Sequence, residues 1–136
     1  MDVPDGAVLF DMDGVLVDSE TYWHRFEDEW VFAAAIESGS PAHEEVTGMP
    51  YYEIYDYLDA EYGTAVSRDE FTSKYEERAE SLYGEQVALT DGVPELFDGI
   101  RADEPALGIV SSARRSWIDI VRERFGLDPL DLVLSA

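Results

Sequence analysis

Two aspartates, Asp11 and Asp13, follow an apolar run close to the start of the chain. The run, AVLF at residues 7–10, is too apolar for the surface of so acidic a protein and predicts a buried strand. Carboxylates can act as nucleophiles, as proton donors or as oxygen ligands of cations. Ligands of open α/β sheets bind where strands end, and Gly14 lets the backbone turn there and approach one. The alternative is that both aspartates only cap or shape a turn.

A second apolar run, ALGIV at residues 106–110, ends in Ser111 and Ser112 and also predicts a strand that leads into a loop. Hydroxyls at such a position either bind a ligand or cap the following helix. Arg114 and Arg115 come next, in a chain with only nine basic residues. Their planar guanidinium groups could hold a second anionic group of a substrate, or they could be surface residues at a helix start.

Residues 10–20, FDMDGVLVDSE, match almost letter for letter the first motif of the haloacid dehalogenase superfamily. The chain resembles the branch that contains phosphoglycolate phosphatases and β-phosphoglucomutases. The resemblance implies that Asp11 attacks a phosphoryl group and becomes an aspartyl-phosphate, while Asp13 acts as general acid and base. It also implies a Mg²⁺ cofactor, bound by the Asp11 carboxylate and the Asp13 backbone carbonyl.

The implied chemistry suits these residue types. A carboxyl group with an ordinary pKa of about 3.9 is an anion at neutral pH, so Asp11 needs a cation before it can approach an anionic phosphate. Asp13 needs a raised pKa in order to protonate a leaving oxygen and later to deprotonate a water molecule.

The same resemblance assigns a substrate-binding role to the two serines. Residues 106–117 are similar to the family's second motif, in which Ser111 hydrogen-bonds the transferring phosphoryl oxygens and Ser112 assists. Gly14, beside the aspartates, and Arg114 complete the predicted substrate-binding set.

Two positions depart from the family pattern. Many members have a histidine shortly after the first motif, where this chain has Trp23, and His24 follows one position later. Phosphoglucomutases have a phosphate-binding arginine where this chain has Tyr51. Both changes favour a phosphatase of unknown substrate over a mutase. The other histidine, His43, lies in a polar stretch and is predicted to be solvated.

Helical patterns fill the chain between the two motifs. Aromatic residues recur at helical spacing over residues 20–35, and a capping box at residues 67–70 precedes a second apolar stripe. The stripe consists of Phe71, Tyr75, Ala79 and Leu82. By resemblance, residues 18–87 are a helical cap that closes over the active site, with hinges near residues 15–18 and 89–92.

The remaining segments, residues 1–17 and 88–136, are predicted to form the core. Helices are expected near residues 94–101 and 116–125, and a third strand at residues 132–134. The predicted fold class is therefore α/β, a Rossmann-like parallel sheet of three strands with an inserted helical cap.

The family's third motif, a lysine or arginine, and its fourth, an acidic pair, have no counterpart in the chain. We therefore expect the front part of a longer protein, with a naturally shortened relative as the alternative. In the family topology a further strand pairs with the first one. Its absence predicts an exposed apolar edge on the first strand and self-association through that edge.

The chain is strongly acidic, with 31 acidic and 9 basic residues and a net charge of −22. This composition is typical of proteins adapted to molar salt, where the repulsion between their acidic groups is almost completely screened. The alternative is an acidic face that docks a basic partner.

The sequence has no basic stripe that could bind nucleic acid, and no apolar run is long enough to cross a membrane. Cysteine is absent, which excludes disulfides and thiol nucleophiles, and a cytoplasmic location is expected.

These observations together predict a Mg²⁺-dependent phosphohydrolase that acts on a small phosphorylated metabolite. One alternative is a catalytically incomplete domain that binds only ions or a partner. Another is phosphoryl transfer of the phosphoglucomutase type.

Overall fold

The computed structural model describes residues 6–103 and 105–135. Three parallel strands form its only sheet in these residues: β1 (Ala7–Phe10), β2 (Ala106–Ser111) and β3 (Leu132–Ser135), in the order β1-β2-β3. Phe10 is level with Ile109, and Ile109 is level with Val133. The three predicted strands and the α/β class are therefore confirmed.

Two amphipathic helices cover one face of the sheet. Helix α5 (Val93–Ala102) precedes β2, and α6 (Arg115–Phe125) connects β2 to β3. The ring of Phe97 on α5 lies 5.3 Å from the ring of Phe10. Both helices begin and end within one residue of the predicted bounds, and Gly126 ends α6 in the left-handed conformation.

The opposite face of the sheet is exposed in the described residues. The side chains of a strand alternate between the two faces of the sheet, so every second side chain points away from the helices. Four large apolar side chains there are more than a third exposed: Leu9, Val110, Leu132 and Leu134. β1 pairs only with β2 in this part of the chain, so its outer edge has no strand partner.

A helical insert separates β1 from α5, and its helices lie between residues 20 and 86. Its first helix begins as α1 (Glu20–Phe26), widens to a π-helix (Glu27–Val31) and ends as α2 (Phe32–Ala34). A 3₁₀ turn (His43–Glu45) follows. Helices α3 (Tyr51–Tyr62) and α4 (Arg68–Ser81) come next, and α4 continues into a second π-helix (Leu82–Gln86).

Each predicted helix of the insert is present. The Ser67 hydroxyl accepts a hydrogen bond from the Glu70 backbone N–H, as the capping box predicts. None of the helices in the described ranges has both the length and the apolar composition needed to cross a membrane.

The two connections between insert and sheet run side by side. The Asp18 N–H donates to the Ala88 carbonyl, and the Asp18 carboxylate accepts from the Ala88 N–H. Thr90 donates through its N–H to the Leu16 carbonyl and through its hydroxyl to the Val15 carbonyl. The segments predicted as hinges are thus hydrogen-bonded to each other, and the assignment of residues 18–87 as a separate cap stays a prediction.

Candidate active site

The loop after β1 directs both aspartates to one cavity of about 190 Å³. Met12, between them, is fully buried and is not part of the cavity lining, whereas both aspartates are. Asp11 is exposed, and its Oδ1 accepts a 2.8 Å hydrogen bond from the Met12 N–H. The structure therefore brings the two residues together at the carboxyl end of a strand.

Asp13 is held by two hydroxyl donors on the same oxygen. Its Oδ1 accepts hydrogen bonds from Ser19 Oγ at 2.5 Å and from Tyr83 Oη at 2.6 Å. Burial raises the pKa of the Asp13 carboxyl, the two hydrogen bonds lower it in part, and the charges of Asp11 and Glu20 raise it. The net direction is upward, which is what a general acid at this position requires.

Gly14 shapes the turn that follows. Its φ of +77° is in the left-handed region, and its N–H donates to the Val17 carbonyl at 2.8 Å. A Cβ at this position would come within 2.5 Å of the Glu20 carboxylate. Glu20 lines the cavity and Gly14 does not, so the glycine shapes the site through its backbone.

The second motif contributes one serine to the cavity wall. Ser112 and Ala113 line the cavity together with both aspartates. Ser111 is buried at the end of β2, is not part of the lining, and its Oγ accepts a 3.0 Å hydrogen bond from the Ala113 N–H. Ser111 thus supports the loop that carries Ser112, and the phosphoryl-binding role of each serine stays a prediction.

Arg114 links the start of α6 to the insert. Its Nη1 donates to the Glu76 carboxylate at 2.6 Å and to the Tyr51 hydroxyl at 3.0 Å. Tyr51 lines the cavity, whereas Arg114 is not part of the lining. Arg115 points elsewhere, to Asp119. The predicted substrate contact of Arg114 stays a prediction.

Aromatic side chains form the wall above the aspartates. Trp23 stacks on Tyr75 at 5.6 Å and packs against Trp117 at 5.7 Å. The Trp23 indole N–H donates to the Tyr83 hydroxyl at 3.0 Å, and Tyr83 in turn donates to Asp13. Tyr83 belongs to neither of the two sequence motifs and was not among the predicted site residues. The only sequence signal was its place directly after the apolar stripe that ends at Leu82.

His43 is not the solvated residue that its polar surroundings predicted, because the chain folds it against the first helix of the insert. Its Nδ1 lies 2.7 Å from Glu27 Oε1, and its Nε2 lies 3.2 Å from Asp28 Oδ1. Its ring stacks on His24 at 4.3 Å. The hydrogen bond to Glu27 raises the pKa of His43, and burial raises the pKa of Glu27.

The charge of the cavity wall is strongly negative. Among the residues that the structure describes, the lining includes no lysine or arginine and four carboxylates: Asp11, Asp13, Glu20 and Glu27. An anionic ligand can enter such a cavity only together with cations. The oxygen-only donors at the end of β1, the Asp11 carboxylate and the Asp13 carbonyl, fit the ligand preference of Mg²⁺.

Comparison with known proteins agrees with this arrangement. Residues 8–136 match the model of the family described as haloacid dehalogenase-like hydrolase. No curated protein sequence matches the chain.

Several solved structures have the same fold at low sequence identity. A candidate β-phosphoglucomutase from Thermotoga maritima is 21% identical, with a TM-score of 0.58, and the match covers 96% of this chain and 61% of that one. A predicted phosphoglycolate phosphatase from Haemophilus somnus is 15% identical, with a TM-score of 0.62 and the same two coverages.

A HAD hydrolase of family IA from Entamoeba histolytica is 19% identical, with a TM-score of 0.61, over 96% of this chain and 60% of that one. The chain thus spans about three fifths of the length of these structures. The first motif and the family-model match over residues 8–136 show that the chain belongs to the haloacid dehalogenase-like hydrolases.

Proposed function

We propose that the chain carries the nucleophile of a Mg²⁺-dependent phosphohydrolase, located in the cytoplasm, that acts on a small phosphate monoester. The observation that carries the proposal is the pairing of an exposed carboxylate, Asp11, with a desolvated carboxyl of raised pKa, Asp13, in one cavity. A desolvated carboxyl group of raised pKa is suited to proton transfer, whereas an exposed carboxylate beside it is free to act as a nucleophile. The cavity volume of about 190 Å³ suits a small substrate.

In the first step, a carboxylate oxygen of Asp11 attacks the phosphorus atom and the ester P–O bond breaks. Asp13 donates its proton to the leaving oxygen, so the product leaves as an alcohol and Asp11 carries the phosphoryl group. In the second step, Asp13 accepts a proton from water, whose oxygen attacks the phosphorus. Inorganic phosphate is released and the Asp11 carboxylate is regenerated.

The neighbouring side chains keep Asp13 in position for both steps. Ser19 and Tyr83 both bind Oδ1, so this oxygen is fixed and Oδ2 is the atom that exchanges the proton. The Asp11 carboxylate and the Asp13 carbonyl would hold Mg²⁺, which when bound neutralises charge between the nucleophile and the phosphate.

A phosphatase is favoured over a mutase. Tyr51 occupies the position at which phosphoglucomutases have a phosphate-binding arginine, and its hydroxyl contacts Arg114 and Glu76. Arg114 is the nearby cation that could meet a second anionic group, but it already pairs with Glu76. A domain that binds ions without turnover is the remaining alternative.

The proposal can be tested with two measurements on the chain. The first is Mg²⁺-dependent hydrolysis of a generic phosphate ester at low and molar salt, with Asp11→Asn as the variant. The second is binding of beryllium fluoride, a mimic of the aspartyl-phosphate, followed by ¹⁹F NMR. We expect a bound fluoride signal that requires both Mg²⁺ and Asp11.

Turnover that is unchanged in Asp11→Asn would refute the nucleophile assignment. A fluoride signal without turnover would support the ion-binding alternative for this stretch of chain. The matched control is Asp18→Asn, because Asp18 belongs to the same loop region but contacts Ala88 instead of the cavity.

A further inference from the structure

A second group of metal-binding side chains lies on the insert side of the cavity. It consists of His24, Glu27 and His43, whose potential ligand atoms all lie within 4.8 Å of one another. His24 and Glu27 line the same cavity as the two aspartates. We propose that these three residues bind a divalent transition-metal ion, such as Zn²⁺, with one coordination position open to the cavity.

The three proposed ligands come from two segments of the insert. His24 and Glu27 are three residues apart and so lie on the same side of the first helix of the insert. Glu27 is also the first residue of the π-helix. Single π-helical turns inside α-helices occur frequently at functional sites. His43 approaches from the 3₁₀ turn and completes the cluster.

A set of contacts fixes the turn that carries His43. The Glu45 carboxylate accepts hydrogen bonds from the Tyr57 and Tyr62 hydroxyls at 2.6 and 2.7 Å. It also accepts a 2.6 Å bond from the Ala42 N–H. These bonds attach the turn to helix α3, so the position of His43 relative to the first helix is set by the fold.

The donor set indicates the class of ion. Two imidazoles and one carboxylate form the protein ligand set of catalytic zinc sites such as that of thermolysin, which keep a fourth position for water or substrate. Imidazole suits zinc, copper, nickel and iron, whereas Mg²⁺ prefers oxygen ligands. The insert cluster and the aspartates at the end of β1 therefore select different ions.

Metal binding requires the ligand atoms of the cluster to adjust their spacing. Zinc–ligand bonds of about 2.0–2.2 Å in tetrahedral geometry place adjacent ligand atoms about 3.3–3.6 Å apart, whereas the ligand atoms of the three residues now lie within 4.8 Å of one another. Nδ1 of His43 and Oε1 of Glu27 are now 2.7 Å apart, at hydrogen-bond distance. A metal ion would replace this hydrogen bond and separate the two atoms by about 0.6–0.9 Å. Glu27 is 6% exposed, so little rearrangement of solvent is needed.

The site would give a cation to the insert side of a cavity that has none from lysine or arginine in the described lining. One consequence rests on the proposed function: the ion would contact an anionic or hydroxyl group of the substrate that lies away from the phosphate. The metal site itself does not depend on phosphatase activity.

The test uses Co²⁺ as a spectroscopic substitute for Zn²⁺, with the 136-residue chain and excess Mg²⁺ present. We expect one Co²⁺ per chain, with visible absorption bands. His24→Gln and His43→Gln should each weaken binding by at least about tenfold. Two controls should leave the affinity unchanged: Asp11→Asn, and Glu29→Gln, which alters an exposed carboxylate of the same π-helix.

A second measurement needs no variant. The chain has only two histidines, so paramagnetic Co²⁺ should shift the ring proton signals of both at low metal-to-protein ratio. Unshifted histidine signals would overturn the proposal, as would equal affinity in the histidine variants. Co²⁺ binding that is lost in Asp11→Asn would place the ion at the aspartates and also overturn it.

Discussion

The hydroxyl of Tyr83 donates a 2.6 Å hydrogen bond to Oδ1 of Asp13, a residue 70 positions earlier in the chain. Tyr83 belongs to the insert and Asp13 to the loop after β1, so this bond joins the two parts of the molecule at the carboxyl that we propose as general acid. The same hydroxyl accepts from the Trp23 indole, which fixes its direction. Tyr83 is therefore a positioning residue for Asp13.

Replacement of Tyr83 by phenylalanine should raise the pKa of Asp13. Burial raises the pKa of the Asp13 carboxyl, and the hydrogen bond from Tyr83 lowers it in part because it stabilises the ionised form. Without the Tyr83 hydroxyl, less opposes the effect of burial and the pKa rises. We therefore expect the Asp13 titration to move to higher pH in Tyr83→Phe. The measurement is an NMR titration of the Asp13 carboxyl carbon. In an active preparation, the alkaline limb of the kcat/KM profile should move to higher pH.

The control for this variant is Tyr75→Phe. The Tyr75 hydroxyl is buried and has no hydrogen-bond partner among the described residues, although its ring lies in the same aromatic wall. Removing an unsatisfied buried hydroxyl should stabilise the fold by about 1 kcal/mol and leave the Asp13 titration unchanged. If both variants shift the titration equally, a general effect of the wall is responsible and not the hydrogen bond.

Local signals were sufficient to predict the sheet and part of the site from the sequence. The strand before Asp11 and the strand before Ser111 are apolar runs that end in polar residues, and both ends meet at one edge of the sheet. Such patterns depend on neighbours in the chain, which a single sequence displays.

The residues that were missed depend on contacts between distant parts of the chain. His43 follows Glu27 by 16 positions, and nothing in its polar surroundings indicates the contact. Tyr83 falls outside the 3.6-residue period of the stripe through Leu82, but the π-helix buries both residues. A pattern based on the α-helical period cannot predict a side chain that a wider turn brings inward.

Glu45→Gln should destabilise the fold near neutral pH. Hydrogen bonds from Tyr57 and Tyr62 lower the pKa of the Glu45 carboxyl below its ordinary value of 4.5. A lowered pKa in the folded state gives stability that is present above the unfolded value and is lost as pH falls through the folded value. The difference in thermal midpoint between wild type and variant should therefore be largest near pH 7 and shrink below pH 4.5.

Glu44→Gln is the matched control, because Glu44 is the exposed neighbour on the same 3₁₀ turn. Thermal unfolding followed by circular dichroism across pH 3–7 would measure both variants. A midpoint difference for Glu45→Gln that does not change with pH would show that the ionised carboxylate does not anchor the turn.

Arg114→Lys should affect substrate binding more than Arg115→Lys. Arg114 contacts Tyr51 in the cavity wall and Glu76 in helix α4, whereas Arg115 pairs with the exposed Asp119. A lysine ammonium does not reproduce the reach and fixed direction of Arg114 Nη1, which donates to both Tyr51 and Glu76. In steady-state kinetics, Arg114→Lys should raise KM several-fold for a substrate with a second anionic group. An equal change in both variants would remove Arg114 from the predicted substrate-binding set.

The uncovered face of the sheet predicts that two copies of the chain associate once their charges are screened. Leu9 is 46% exposed and lies on β1, whose outer edge has no strand partner among the described residues; Leu134 is 47% exposed on the same face. A net charge of −22 opposes contact between copies at low salt, and screening at molar salt removes most of this repulsion.

Sedimentation velocity should therefore show a monomer at 0.1 M salt and a larger species at about 2 M salt, where the screening length falls to a few ångströms. Leu9→Lys should prevent association, because a lysine on an edge strand disfavours pairing with another sheet. Leu96→Lys is the control, since Leu96 is 49% exposed but lies on helix α5. Association that persists in Leu9→Lys and disappears in Leu96→Lys would place the interface on the helical side instead.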